Sequence, residues 1–212
     1  TPGKVVDLVR NLGIAAGGTV MEDCRVLEAC REGKYTSVLV QTHDKKYVEY
    51  RTEHFVNALG SGAGKLCDSM GIDAGLYPVR HQAFITRRLP MLGKHGTNLD
   101  MLIDRQDYKG FSAVYGQQIA YTGQIIGCAS PKLDAMRIDK NLKVNTKAFL
   151  EIVSEMFSEW IPDLAGVGIQ AVWAGYYTEP RYIVDPELGL FVGMRGHGFM
   201  LSQYIARMYV DK

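Results

Sequence analysis

The sequence predicts an α+β fold in which an antiparallel or mixed β-sheet is covered by helices. Two observations predict it: short apolar runs broken by Gly, Asp or Asn fill the middle of the chain, and amphipathic helical patterns occur near both ends and at 149–160. Closely spaced strands favour antiparallel pairing, because parallel strands need a long crossover between them. The 212 residues are 47% hydrophobic and 22% charged, which is a globular composition.

The first part of the chain predicts a helix, a hairpin and a buried strand. Apolar residues repeat at helical spacing over Thr1–Leu12, where Thr suits the N-cap and Pro suits the first helical position. Two β-prone runs, 36–42 and 46–50, flank a polar turn and predict a hairpin. The run His54–Leu59 predicts a buried strand that leads into the glycine-rich segment Gly60–Gly64.

The middle and the end of the chain predict a sheet followed by two helices. The β-prone runs of the middle are Ala83–Thr86, Met101–Ile103, Ser112–Tyr115, Gln118–Tyr121 and Gln124–Gly127. Apolar residues at i, i+3, i+4, i+7, i+8 and i+11 predict a helix over Phe149–Trp160, which Pro162 ends. A last strand, Leu190–Gly193, meets a turn and then a helix whose apolar face includes Ile205.

Composition excludes several classes of protein. The formal net charge is +1, whereas proteins that bind phosphate backbones usually carry a basic excess. No apolar run reaches the roughly 18–20 residues that a membrane-spanning helix needs, so we expect a soluble, cytoplasmic protein. The four cysteines contain no C-x-x-C pair, and the five histidines contain no H-x-x-x-H or H-E-x-x-H spacing. We therefore expect reduced thiols and no metal site.

Two glycine clusters occur where a strand gives way to a helix. The first, Asn57–Leu66, has neither Walker A nor G-x-G-x-x-G spacing, so it is either a tight structural turn or a ligand-binding turn. The second, Gly193–Leu201, places His197 between glycines, which lets a flat ligand approach the backbone. Helix N-termini offer unpaired N–H groups and partial positive charge to such a ligand. His197 itself is either a turn residue or a proton-transfer group.

These landmarks, taken in order, resemble a known family. They are Pro2–Val6, Cys24–Glu28, Val56–Gly60, Lys65-Leu66, Gly71-Ile72, Tyr77–Gln82, Ile125–Gly127, Trp173–Tyr177 and Gly196–Phe199. Over Thr1–Lys212 the chain is similar to the C-terminal two-thirds of the FAD-dependent amine oxidoreductases of the D-amino-acid oxidase and sarcosine oxidase family. The Trp173–Tyr177 run most resembles the proline and sarcosine dehydrogenase branch.

The resemblance implies a bound FAD and two domains. Residues 1–75 and 185–212 would be part of an FAD-binding domain, and 76–184 would form an antiparallel-sheet substrate domain. A helix N-terminus near the flavin ring would stabilise negative charge that develops there. The cofactor-binding residues implied are Val26 at the adenine, Ala58, Leu59 and Gly60 near the phosphates and ribityl chain, and Gly196, Gly198, Phe199 and Met200 near the flavin ring.

The resemblance also implies a dehydrogenase or oxidase that takes a hydride from the carbon beside the nitrogen of an amino or imino acid such as proline or sarcosine. Tyr177, Arg195 and His197 are the implied catalytic candidates, and Tyr121, Tyr176 and Arg105 the implied substrate-binding residues. Arg195 or Arg105 would hold a substrate carboxylate, because a guanidinium fork matches a carboxylate. Each tyrosine is equally well explained as a half-buried aromatic of a β-rich core. Ile125 and Met200 stand where some oxidising relatives carry lysine, which favours a dehydrogenase with an acceptor other than O₂.

The chain departs from the family in one large respect. The strand, G-x-G-x-x-G turn and helix that hold the ADP half of FAD in the family are absent before Thr1–Leu12. We expect a truncated or partly ordered chain, or a partner chain or second copy that supplies the nucleotide-binding half. The alternative is a non-catalytic subunit or scaffold of a flavoprotein complex that does not bind FAD alone. An intact mass equal to this sequence, with stoichiometric FAD, would contradict truncation.

Overall fold

The computed structural model describes residues 2–93, 96–108, 110–131, 146–180 and 182–211. These residues form two compact units: unit 1 joins Thr1–Tyr77 to Thr178–Lys212, and unit 2 is Pro78–Tyr177. Thr1, the expected N-cap of the first helix, lies outside the described residues.

The helices and strands have the following bounds. The described helices are α1 (Pro2–Ala15), α2 (Ala63–Ser69), α3 (Thr146–Trp160) and α4 (Gly198–Val210). The described strands are β1 (Arg25–Glu32), β2 (Tyr35–Gln41), β3 (Tyr47–Thr52), β4 (Tyr77–Thr86), β5 (Leu102–Tyr108), β6 (Phe111–Ile119), β7 (Gln124–Pro131), β8 (Ile169–Glu179), β9 (Ile183–Asp185) and β10 (Leu190–Val192).

Unit 1 contains an antiparallel sheet of order β1-β2-β3. Its β2–β3 hairpin confirms the expected strand–turn–strand segment, with Val38 opposite Tyr50. Val38 and Val40 alternate toward α2, where they are buried with Ala29 of β1 and Leu66 of α2. Alternation of β-branched residues toward one helix gives this sheet a single apolar face.

The expected buried strand over His54–Leu59 is wrong. Asn57 alone pairs, in a parallel bridge with Leu190, while Val56 and Leu59 are each 43% exposed. The buried side chain of Asn57 turns the backbone: its Nδ2 donates to the Ala63 carbonyl at 3.2 Å, and its Oδ1 accepts the Leu59 N–H at 3.2 Å. Asn commonly makes such local hydrogen bonds, which compete with a strand ladder.

Unit 2 contains a sheet of order β5-β6-β7-β4-β8. The pairings β5–β6, β6–β7 and β7–β4 are antiparallel, which confirms the expected antiparallel sheet. The two runs expected on either side of Gly116 form one strand, β6. Gly116 does not break the strand, since it pairs with Leu102 on β5 and with Gly127 on β7. A Cβ at this position would lie 3.1 Å from Cγ2 of Ile125. This glycine therefore makes room for packing.

Helix α3 covers one face of the unit 2 sheet and confirms the helix expected over Phe149–Trp160. The ring of Phe84 contacts the rings of Phe149 and Phe157, with centroids 6.0 and 5.5 Å apart. Buried residues of this core are Phe84, Leu89, Leu92, Phe111, Val114, Ile125, Ala129, Phe149, Ile152, Val153, Met156, Phe157 and Leu164. Side chains alternate along strands, so the neighbours of these core positions point to the other face of the sheet.

The first and last helices bury few of their side chains. Helix α1 buries none of its residues, and α4 buries Ile205. In the described part of the chain, no helix has the length and apolar character needed to span a bilayer. All four cysteines lie in that part and are free thiols, of which Cys67 and Cys128 are buried.

Candidate functional site

Unit 1 pairs the start of the first glycine cluster with the strand that leads into the second. The Asn57 N–H donates to the Gly189 carbonyl at 2.8 Å, and the Phe191 N–H donates to the Asn57 carbonyl at 3.1 Å. This bridge is parallel, so the segment through Asn57 and strand β10 end at the same edge. Both glycine turns leave from that edge. Turns that follow neighbouring parallel strands form the usual crevice for a nucleotide cofactor.

The first turn leaves its backbone open to a ligand at one glycine. Gly60 has a φ of +55°, and a Cβ built on it would meet no atom within 4 Å. Gly64, in contrast, is needed for packing, because a Cβ there would lie 2.8 Å from the Leu76 carbonyl oxygen. The turn is therefore partly structural and partly free for a ligand.

A cavity of about 300 Å³ lies beside this turn. It is lined by Cys24, Arg25, Val26, Leu27, Leu59, Gly62, Lys65 and Leu66. Val26 and Leu59, far apart in sequence and both expected to touch a cofactor, thus share one cavity wall. Lys65 and Arg25 add positive charge to a mostly apolar lining, a composition that suits part of a nucleotide.

The second turn opens α4 without a side-chain cap. Gly196 has a φ of +84°, and the side chain of His197 makes no capping hydrogen bond. The first turn of α4 contains no acidic residue. Its N–H groups and the positive end of the helix dipole are therefore available to an electron-rich ligand. Packing of Phe191 against Tyr209, with ring centroids 5.6 Å apart, fixes α4 on β10.

Two catalytic candidates are held by partners that sequence reasoning missed. The Nε of Arg195 donates to Oε2 of Glu179 at 2.7 Å, and the Glu179 side chain is only 12% exposed. Nδ1 of His197 lies 2.7 Å from the hydroxyl of Tyr182. The guanidinium charge of Arg195 is thus balanced within unit 1, and the ring of His197 is oriented. These partners are set by tertiary structure, so no local pattern indicates them.

In unit 2, Tyr177 belongs to a group that we call the tyrosine face, formed by His81, Tyr115, Cys128 and Tyr177. The rings of His81 and Tyr177 stack with centroids 3.9 Å apart. Tyr115 on β6 lies directly opposite Cys128 on β7. Strand alternation places this group on the side of the sheet opposite α3.

Burial keeps the tyrosine face electrically neutral. It lowers the pKa of His81 to about 4 and raises the pKa of Cys128 to about 11. It also raises the pKa values of Tyr115 and Tyr177 above the usual range for a phenol. Near pH 7 the imidazole is therefore unprotonated and both phenols keep their protons.

The other expected substrate-binding residues do not join this group. Tyr176 is next to Tyr177 on β8 and so points to the opposite face. Tyr121 lies beyond the end of β6 and is 76% exposed, and Arg105 is exposed on β5. Ile125 packs into the core under α3, so its identity carries no information about the electron acceptor. Within the described ranges, no group of three His, Cys, Asp or Glu residues could hold a metal ion.

Sequence reasoning missed His81, Tyr115 and Cys128. Period-two alternation could have placed each of them opposite the core positions of its own strand. It could not have shown that their strands are neighbours in the order β6-β7-β4-β8.

Comparison with known proteins identifies the fold. A family model described as FAD dependent oxidoreductase matches residues 1–212. Among solved structures, L-proline dehydrogenase from P. horikoshii is 25% identical with a TM-score of 0.66, over 93% of this chain and 51% of that chain. Glycine oxidase from Geobacillus kaustophilus is 19% identical with a TM-score of 0.65, over 93% of this chain and 50% of that chain. No curated protein matches the sequence. The chain spans about half the length of these structures, less than the two-thirds expected from the sequence.

Proposed function

The chain belongs to the family of FAD-dependent oxidoreductases, and from this premise we propose that it is part of an enzyme that oxidises the C–N bond of an amino or imino acid such as proline or sarcosine. FAD is the cofactor of the family and is therefore the cofactor assigned to this chain. The specific activity, the substrate and the domain roles are the proposed part: residues 1–75 and 185–212 for FAD, and 76–184 for the substrate.

The observation that carries the proposal is the meeting of the two glycine turns at one edge of unit 1. The residues there fit a dinucleotide: the space at Gly60 is free, and the cavity that contains Val26 and Leu59 is apolar with two cationic side chains. We assign Val26, Ala58, Leu59 and Gly60 to the nucleotide side. Gly196, Gly198, Phe199 and Met200, at the uncapped start of α4, are assigned to the flavin ring.

The protein contributes electrostatics and orientation to this reaction. When bound, FAD supplies the two-electron redox chemistry. The N-terminus of α4 stabilises negative charge placed against it, and its backbone donors need no reorganisation. Tyr182 orients His197 through the 2.7 Å contact, and Glu179 fixes Arg195 at the same turn.

The substrate class is supported by chemistry and by similarity. The solved structures include a proline dehydrogenase at 25% identity and a glycine oxidase. In unit 2, Tyr177 offers a hydroxyl group and the exposed Arg105 offers a cation for a carboxylate. In unit 1, the charge of Arg195 is already balanced by Glu179. Met200, where some relatives carry lysine, favours a dehydrogenase over an oxidase.

The test is FAD content and flavin reduction. Protein expressed from its full coding sequence should carry FAD and lose its absorbance near 450 nm when proline or sarcosine is added without oxygen. In the variant Gly60→Asp, a carboxylate in the first turn should displace the cofactor phosphates and lower FAD content by at least about tenfold. Gly33→Asp is the matched control, because Gly33 has a similar φ of +64° and equal free space in a remote hairpin of unit 1.

Two results would count against the proposal. A protein that binds no FAD would favour the non-catalytic subunit. Equal FAD content in Gly60→Asp and Gly33→Asp would show that the first turn does not contact the cofactor.

A further inference from the structure

The three-stranded sheet of unit 1 has β1 and β3 as its outer strands. The free edge of β1 is blocked by α2: Oγ of Ser69 accepts the Ala29 N–H at 3.0 Å and lies 3.3 Å from the Ala29 carbonyl oxygen. Strand β1 also has a bulge between Val26 and Glu28. Bulges and covering elements both prevent an edge strand from pairing with another chain.

Strand β3, in contrast, is regular and exposed. Its register with β2 runs without interruption from Tyr47 opposite Gln41 to Thr52 opposite Thr36. It contains no Gly or Pro, and Tyr47 is 66% exposed. A regular strand of β-prone residues at the edge of a sheet is a template for a further strand.

The hairpin determines which backbone groups of β3 face outward. Its turn closes with the Thr42 N–H donating to the Lys46 carbonyl at 2.9 Å. Hydrogen-bonded pairs alternate along an antiparallel ladder, so the even-numbered residues of β3 bond to β2. The odd-numbered residues Tyr47, Glu49 and Arg51 direct their N–H and C=O groups away from β2. Within the described ranges, these outward groups have no hydrogen-bond partner.

Two of these odd-numbered residues carry opposite charges. Glu49 and Arg51 are both exposed, and neither belongs to an ion pair in the described part of the chain. Glu49 accepts a hydrogen bond from the Ser37 hydroxyl, and the Arg51 guanidinium lies 4.3 Å from the ring centroid of Tyr35. These contacts hold both side chains on one face of the sheet and leave a carboxylate oxygen and the guanidinium N–H groups for a partner.

We propose that β3 is an interface at which two copies of this chain pair edge to edge, antiparallel, about a two-fold axis at Tyr50. In this register Glu49 of each copy is opposite Arg51 of the other copy. Both residues have outward backbone groups, so they form hydrogen-bonded pairs, and the two sheets become one six-stranded sheet. The same patch serves both copies, as a two-fold interface requires.

Charge selects this register from those that the backbone allows. Sliding one copy by two residues in one direction places the two Glu49 side chains opposite each other, and sliding it in the other direction does the same for Arg51. Like charges directly opposite destabilise a strand pair, whereas opposite charges stabilise it. A second copy is the favoured partner because it already carries the complementary order of charges.

The experiment measures the dissociation constant of the dimer by sedimentation equilibrium, on protein expressed from its full coding sequence. Glu49→Arg and Arg51→Glu each place like charges opposite each other twice in every dimer. The matched control is Glu28→Arg, which reverses the charge of an exposed glutamate on the blocked strand β1.

We expect wild type to be in equilibrium between monomer and dimer at micromolar concentrations. Each of the two single variants in β3 should weaken the dimer by at least about tenfold, and the control should leave it within about twofold. An equimolar mixture of Glu49→Arg and Arg51→Glu should restore dimers, because arginines at 49 and 51 of one copy then face glutamates at 51 and 49 of the other. A misfolded variant would not recover on mixing.

Other outcomes overturn the inference. A wild type that stays monomeric at about 100 μM would show that another part of the protein covers β3 or that this edge does not pair. Unchanged dimers in both single variants, a mixture that stays monomeric, or an equal loss in Glu28→Arg would each contradict the register. None of these measurements depends on FAD or on a substrate, so the proposed function stands or falls separately.

Discussion

The burial of His81 predicts a specific loss of stability in acid. His81 is 8% exposed, and its Nδ1 has no hydrogen-bond partner among the described residues. Protonation would place a charge and an unpaired N–H in an apolar site. Burial therefore lowers the pKa of His81 from 6.5 to about 4.

The sign and size of the effect are given by proton linkage. The unfolded chain binds a proton at this histidine as the pH falls through 6.5, while the folded chain resists until about pH 4. His81 therefore leaves the free energy of unfolding undiminished above pH 6.5 and lowers it progressively as the pH falls toward 4. The loss amounts to about 2 kcal/mol at pH 5 and about 3 kcal/mol at pH 4.

The assay is urea unfolding followed by tryptophan fluorescence at pH 7 and pH 5. Both tryptophans of the chain, Trp160 and Trp173, lie in unit 2 together with His81, so the signal reports the relevant unit. In His81→Phe the ring stack is kept and the titrating group is removed. Any constant packing cost cancels when the two pH values are compared.

We expect wild type to lose about 2 kcal/mol more than His81→Phe between pH 7 and pH 5. The exposed His54→Gln serves as the control for removing an imidazole, and the pH difference should persist in it. Equal losses in wild type and His81→Phe would refute the argument from burial.

Three further changes test other parts of the structure. Gly127→Ala should destabilise unit 2 by about 3 kcal/mol in urea unfolding, because the new Cβ would lie 2.5 Å from Cζ of Phe84. The control Gly175→Ala, whose Cβ would have no atom within 4 Å, should change the free energy of unfolding by less than about 0.5 kcal/mol. Asn57→Ala should cost about 2 kcal/mol, measured by hydrogen exchange in unit 1, because it removes the buried hydrogen bonds to Ala63 and Leu59; unchanged exchange would contradict this. Glu179→Gln should raise the reduction potential of bound FAD, because it leaves the charge of Arg195 uncompensated; an equal rise in the exposed Glu187→Gln would refute a local effect.

The fold was predictable where a pattern repeats over a whole element. The period of 3.6 placed α3 within a few residues of its bounds, and the β2–β3 hairpin was indicated by two β-prone runs around a polar turn. The pattern failed over His54–Leu59, where an apolar run suggested a strand. There the buried side-chain amide of Asn57 hydrogen-bonds to the Ala63 carbonyl and fixes the backbone. A pattern of apolar residues does not indicate a hydrogen bond of this kind.

The candidate site was predictable only in part. The two glycine clusters predicted both turns, because a tight turn before a helix favours glycine and glycine is visible in the sequence. The parallel bridge that brings them together joins Asn57 to Leu190 across most of the chain. The same holds for Glu179 with Arg195 and for His81 with Tyr177, pairs that depend on tertiary structure and have no local signal.

Glycine-rich motifs combine two physical roles that the sequence alone does not separate. In the first cluster, Gly60 has free space around the position of its missing Cβ, whereas Gly64 lies against the Leu76 carbonyl. Gly64-Lys65 looks like the end of a phosphate-binding loop, yet Gly64 is required for packing α2 against its neighbour. Gly60, in contrast, leaves room for a ligand to approach the backbone. A substitution at Gly64 should therefore lower the stability of unit 1, and one at Gly60 should lower the affinity for FAD.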